Sequence, residues 1–254
     1  MDLTSFLDNY AFGCFSIKGI KLPRLLFGTS PFFGAGQFGD RSVRYFREFY
    51  LNPQKITALY NSSISNGLNA IHVPSDPAII EAIVDSIQSS GVNSFVLATV
   101  EAKNLPEELG LCERVRADSI ITHGSCADRS VGMLAEILGQ IKKRFDDAPT
   151  GIATHSPGRI IPRVLELETV DIILSPINLK GHFMDPDEQS TLNAIARARS
   201  TGKKVIAMKS LAAGLLKPAI AFKYIADKVD GVAVGITTTS ELHEVIGAGK
   251  KFFS

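Results

Sequence analysis

The stretch NAIHVPSDPAIIEAIVDSIQSSGVNSFVLATV (69–100) decides the fold. NAIHV (69–73) is a short β-branched run, and AIIEAIVDSIQSS repeats its apolar residues at helical spacing until Gly91 ends it. SFVLATV (94–100) is then a second apolar run. The three together spell strand, crossover helix and parallel strand. Both strand runs are continuously apolar rather than alternating, as expected of parallel strands covered by helices.

Outward from this unit the pattern recurs until there are eight. LLFG (25–28) precedes it with the helix QKITALYNSSISNG (54–67). DSIITH (118–123), GIATH (151–155), DIILS (171–175), KVIAM (204–208) and GVAVG (231–235) follow it. Gly67, Gly91 and Gly202 each stand just before a strand, where a helix ends in a left-handed residue. Asp128 is placed to cap the helix RSVGMLAEILGQIKKRF (129–145), and Thr238-x-x-Glu241 reads as a capping box. Eight units allow a parallel sheet to close, so an α/β fold of the (β/α)8 TIM-barrel kind is expected, as one domain over 1–254. The count disfavours an open doubly wound sheet. In such a barrel the chemistry lies at the C-terminal ends of the strands. CFSIKGIKL (14–22) reads as an N-terminal hairpin turning at Lys18-Gly19.

Apolar residues make up 45% of the 254 and charged residues 21%, with a net charge of +1, so nothing favours nucleic acid or an anionic membrane as partner. A small-molecule substrate is the expected partner. Cys14, Cys112 and Cys126 are odd in number and lack metal-finger spacing, which indicates a reducing compartment. The start MDLTSFLDNYAFG has no basic n-region, and no apolar run approaches the ~20 residues of a membrane span. A cytoplasmic protein is expected.

One loop is out of scale. SPFFGAGQFGDRSVRYFREFYLNP (30–53) follows the first barrel strand and must sit over the barrel mouth. Phe32, Phe33, Phe38, Tyr45, Phe46, Phe49 and Tyr50 alternate in it with Arg41, Arg44 and Arg47. It reads either as a short helix with solvated arginines or as a lid giving aromatic walls and a basic anchor.

Several segments resemble, in order, the strands of the aldo-keto reductases: LPRLLFGTSPFFG the first, SIITHG the fourth, GIATHS the fifth, DIILSPIN the sixth, VIAMKSLAAGLL the seventh and VAVGITTTSELHE the eighth. The resemblance implies NADP(H)-dependent reduction of a carbonyl by an Asp–Tyr–Lys–His tetrad. Position by position, His72 stands for the Asp, Pro77 for the Tyr and Val100 for the Lys, and only the His is kept, as His123. Pro and Val cannot replace a Tyr acid and the Lys that lowers its pKa. The positions that hold the nicotinamide read Ala153, Thr154, Leu174 and Met208, and the family's long C-terminal substrate loop is not expected. The phosphate end is better kept. Lys209, Ser210, Leu211 and Gly214 follow the seventh strand, and Gly235, Thr237 and Thr238 follow the eighth into a helix N-terminus. Glu244 matches a residue that contacts adenine, with Val245 at the neighbouring Asn position.

Three of the five histidines, His72, His123 and His155, end strands, with Asp76 and Glu101 close by. His72, His123, His155 and Glu101 are thus candidate ligands of a divalent metal acting as Lewis acid. Cys126, three residues after His123, is a candidate thiol partner for it, and Lys209 a candidate Schiff-base amine if desolvated. Three functions stay open: a divergent NADP(H)-dependent oxidoreductase on a small carbonyl compound, with His123 and His72 as catalytic residues; a lyase, isomerase or hydrolase on a small phosphorylated substrate, metal-assisted or not; and a non-catalytic ligand-binding barrel.

Overall fold

In the computed structural model, residues 10–254 are described, so most of the segment read as lacking a secretory leader lies outside them. β1 (Cys14–Ile17) and β2 (Ile20–Pro23) pair antiparallel around Lys18 and Gly19, both at positive φ, which makes the expected hairpin. Eight parallel strands then close on themselves: β3 (Leu25–Gly28), β4 (Ala70–Pro74), β5 (Phe95–Val100), β6 (Ser119–Thr122), β7 (Thr150–Ala153), β8 (Ile172–Pro176), β9 (Lys204–Met208) and β10 (Gly231–Gly235). β10 completes the ring on β3, from Val232 opposite Leu25 to Gly235 opposite Gly28.

The period of two along each strand sorts side chains into two cores. Leu26, Ala70, Leu97, Ile121, Ala153, Leu174, Ile206 and Ala233 fill the barrel interior, together with Ile17 and Leu22 of the hairpin. The hairpin thus plugs the N-terminal end, and Lys18 ties it to Asp171 just before β8 at 2.7 Å. Leu25, Phe27, Ile71, Val73, Val96, Ala98 and Val100 face outward into the larger core beneath the helices. These are α2 (Pro53–Ser65), α3 (Pro77–Ser90), α4 (Leu105–Arg114), α6 (Val131–Arg144), α7 (Pro157–Val164), α8 (Glu188–Ser200), α9 (Pro218–Ile225) and α10 (Thr239–Phe252).

Two caps differ from expectation. α6 is capped by Ser130, whose hydroxyl accepts from Met133 N–H, because Asp128 lies two residues too early and is committed to the site. At α10, Thr238 Oγ1 accepts from Glu241 N–H as a capping box requires. The Glu241 carboxylate, however, reaches one residue further back, to the N–H and hydroxyl of Thr237 at 2.7 and 2.8 Å. Among the described residues no helix is long and apolar enough to cross a membrane, and none of the three cysteines forms a disulfide.

The long loop forms the short helical segment of its first reading. A 3-10 turn (Gly36–Phe38) leads into α1 (Arg41–Tyr45) and a π turn (Phe46–Tyr50), with Phe32, Tyr45 and Phe49 buried and Arg44 and Arg47 exposed. Arg41 differs from the other two. Its guanidinium crosses the barrel mouth to donate to the Ala213 carbonyl after β9. Tyr50 donates to Asp76 at 3.0 Å, and Asp76 also caps α3 through Ala78 and Ile79 N–H.

Candidate active site

A cavity of about 630 Å³ opens at the C-terminal end of the barrel and continues as a cleft to the start of α10. Strand parity explains what lines it. His72, Thr99, His123 and His155 each lie two residues beyond an inward-facing Ala70, Leu97, Ile121 or Ala153, so all four reach the mouth. Ala153, Leu174, Met208 and Ala233 form an apolar floor. Phe33, Phe38, Tyr45 and Arg41 of the long loop close one side, and Phe183 stands at another.

The histidines are held by different partners. His72 Nε2 is 2.7 Å from the buried Thr99 hydroxyl. Burial and the neighbouring His123 bring its pKa down to about 4. His123 caps the short α5 (Gly124–Ala127), its Nδ1 accepting from Ser125 N–H at 3.1 Å. An accepting Nδ1 places the ring proton on Nε2, and burial holds the ring below its usual pKa, so near neutrality it is an uncharged donor. His155 packs edge-on against His123, with ring centroids 5.3 Å apart. Its Nδ1 faces Lys209 Nζ at 3.2 Å. Burial, then Lys209 and His123, lower its pKa to about 4. Asp128 supports this cluster from behind, accepting from the Thr154 hydroxyl at 2.6 Å and from His155 N–H at 2.9 Å.

These shifts predict how stability follows pH. Folded His72 and His155 titrate near 4 against 6.5 for an ordinary imidazole. Between those values the unfolded chain binds protons that the folded site refuses, so stability is full above pH 6.5 and is lost as pH falls towards 4. Asp118 acts oppositely, because burial raises its folded pKa from 3.8 to about 6. In that window the folded state binds the extra proton and gains stability as pH falls. Urea midpoints measured from pH 7 to 4.5 should therefore fall more steeply in Asp118→Asn than in the parent chain. Parallel curves would contradict the assignment.

The predicted metal set does not assemble. Glu101 pairs with Lys103 and lies outside the cleft, while His123 Nδ1 and His72 Nε2 are turned to Ser125 and Thr99. Among the described residues no three His, Cys, Asp or Glu side chains are arranged to hold a metal ion. The Cys126 thiol is buried, which raises its pKa, and its contact with His123 is a backbone one, from Cys126 N–H to the His123 carbonyl. Val100 faces the outer core, and Pro77 opens α3 as its first residue, so neither position offers a proton to the mouth.

The phosphate corner divides. Lys209, Ser210, Leu211, Gly214, Gly235, Thr237 and Glu244 all line the cleft, whereas Thr238 is turned into its cap and does not. Ser210 Oγ is buried and has no partner among the described residues. Gly214 has φ +90°, and a Cβ there would meet the Arg41 guanidinium at 3.2 Å. At the other half Glu241 already occupies Thr237, and Glu244 is paired to Lys217 at 3.0 Å. Lys209 Nζ is within 3.2 Å of His155 Nδ1.

No protein-family model and no curated protein matches the chain. Solved structures do. A Pseudomonas aeruginosa protein assigned to the aldo-keto reductases is 16% identical with a TM-score of 0.70, over 97% of this chain and 98% of that one. The holo form of a Bacillus halodurans aldo-keto reductase gives 12% identity and a TM-score of 0.66, over 93% and 90%. The fold is that of the aldo-keto reductases. A Klebsiella pneumoniae aldo/keto reductase, solved in complex with NADP and acetate, is 14% identical with a TM-score of 0.63, over 97% and 91%. At such identities the aldo-keto reductase likeness is one of architecture, so chemistry must be argued from the side chains.

Proposed function

We propose that the chain is an oxidoreductase that reduces a small carbonyl compound with a nicotinamide dinucleotide. The observation that carries this reading is the continuity of the cleft from the three histidines to Ser210, Gly214 and the start of α10. One end offers donors to a carbonyl oxygen, and the other suits phosphate. The fit varies along the cleft. The unpartnered Ser210 hydroxyl suits a phosphate oxygen, whereas the Gly214 N–H donates to the Leu211 carbonyl and the Arg41 guanidinium stands over it. Ala153, Leu174 and Met208 present an apolar surface to a nicotinamide ring, and Thr154 is spent on Asp128. NADP(H), when bound, supplies the hydride. His123 offers its Nε2 proton to the carbonyl oxygen as an uncharged imidazole, and the Lys209 ammonium stabilises the charge that develops there.

A nucleotide titration followed by cofactor fluorescence tests this, the chain having no Trp of its own to interfere. Micromolar binding is expected, weakened about tenfold by Ser210→Val through loss of one hydrogen bond to phosphate. With its adenosine end at Glu244, a 2′-phosphate would approach the Glu241 and Glu244 carboxylates, so NADH should bind at least as well as NADPH. If neither nucleotide binds at millimolar concentration, the proposal is wrong.

A further inference from the structure

Lys209 shares the cleft with Arg41 and Lys217, and its setting differs from that of a surface lysine. It follows β9 directly with φ +56°, a left-handed conformation uncommon for a side chain of this kind. Its Nζ lies over the cavity, 3.2 Å from His155 Nδ1 and 4.7 Å from the centre of the Phe183 ring. Among the described residues it forms no ion pair. Asp128, the carboxylate whose charge acts on it, is occupied by Thr154 and His155. An amine removed from water without a carboxylate is easier to deprotonate, and burial brings Lys209 down to about 8. More of it is then free amine near neutrality than for an exposed lysine.

We propose that Lys209 captures a small aldehyde or ketone as a Schiff base in the barrel mouth. Its nitrogen lone pair adds to the carbonyl carbon, the carbonyl π pair moves to oxygen, and a proton passes from the new ammonium nitrogen to that oxygen, giving a neutral carbinolamine. Protonation of the resulting carbinolamine hydroxyl lets the nitrogen lone pair expel it as water, leaving a protonated imine. Amine, carbonyl and one proton become a protonated imine and water, and nothing is oxidised or reduced. The apolar floor of Ala153, Leu174, Met208 and Ala233 accepts the body of the carbonyl compound, and the His123 Nε2–H is placed at the same mouth to donate to its oxygen. This inference goes beyond the reductive reading. The two share a carbonyl substrate, but imine formation consumes no nucleotide.

Reductive trapping tests it. The protein is incubated without nucleotide at pH 7.5 with 13C-formaldehyde, and in parallel with glycolaldehyde, in the presence of cyanoborohydride. Peptide mass spectrometry then ranks the lysines by rate. Lys209 should react first and at least tenfold faster than the exposed, ion-paired Lys103 and Lys217, and the first adduct should vanish in Lys209→Met. Modification of Lys209 no faster than those two overturns the proposal. The ranking is read in the parent chain, so it does not depend on whether a variant folds. Trapping at Lys209 without nucleotide binding would defeat the reductive reading alone, and nucleotide binding without trapping would defeat this one alone.

Discussion

Gly151→Ala is expected to abolish folding. Gly151 stands opposite Ile172 where β7 pairs with β8. A Cβ at Gly151 would lie 1.9 Å from the Ile172 carbonyl oxygen and within 2.9 Å of its backbone nitrogen. These are backbone atoms, so no rotamer relieves the overlap. Either the strands part, which opens the barrel, or the chain stays unfolded. The cost is expected to exceed about 4 kcal/mol, a large share of the roughly 5–15 kcal/mol that holds an ordinary domain folded. Gly110→Ala and Gly139→Ala, in α4 and α6 with nothing near their Cβ positions, are the controls. Each should raise stability by about 0.5–1 kcal/mol, as alanine does in a helix. Soluble expression and thermal melting of the three variants give the comparison. A Gly151→Ala protein that melts within a few degrees of the parent would refute the strand pairing at this point.

The second large effect is expected at Glu108. This carboxylate is only 8% exposed and gathers the β5–α4 loop around itself. Oε2 accepts from the N–H groups of Glu101 and Ala102 at 2.6 and 3.0 Å, and Oε1 from those of Lys103 and Asn104 at 2.9 and 3.1 Å. Ser75, just past β4, adds its hydroxyl at 3.2 Å. Glu108→Ala leaves these donors facing an empty space, and about 3 kcal/mol of stability should be lost. Glu108→Gln should cost nearly as much, because its NH2 turns donors against donors on one side. Urea unfolding of both variants is the measurement, and a loss under about 1 kcal/mol would show that water replaces the carboxylate. The same loop carries Glu101 and Lys103, whose charges act on His123, so loosening it should also disturb the site.

Much of the site could be read along the strands. A residue two beyond an inward-facing apolar one must also face inward, and this brings His72, His123 and His155 to the mouth. Thr99 obeys the same rule. The family's Lys position falls one residue further on, at Val100, which packs outward. Asp128 was legible as a helix cap but acts instead on Thr154 and His155 across the β6–β7 boundary. No spacing within one segment could reveal that pairing. Nor could spacing show that Glu241 would turn to Thr237, or that Arg41 would bridge to Ala213, 172 residues away.

The architecture was therefore determined by the sequence itself, because eight runs of strand and helix propensity each act locally and agree with one another. The location of the site came with it, since strand ends are a property of the same local pattern. The chemistry at those ends was decided only in the tertiary structure. Whether histidines bind a metal, donate a proton or simply hold a neighbour depends on which ring nitrogen faces which partner. Those partners come from other strands and loops, brought within hydrogen-bond distance only when the barrel closes. Lys209 shows the difference: in sequence a basic residue after a strand, in the barrel an amine withdrawn from water and set against an imidazole.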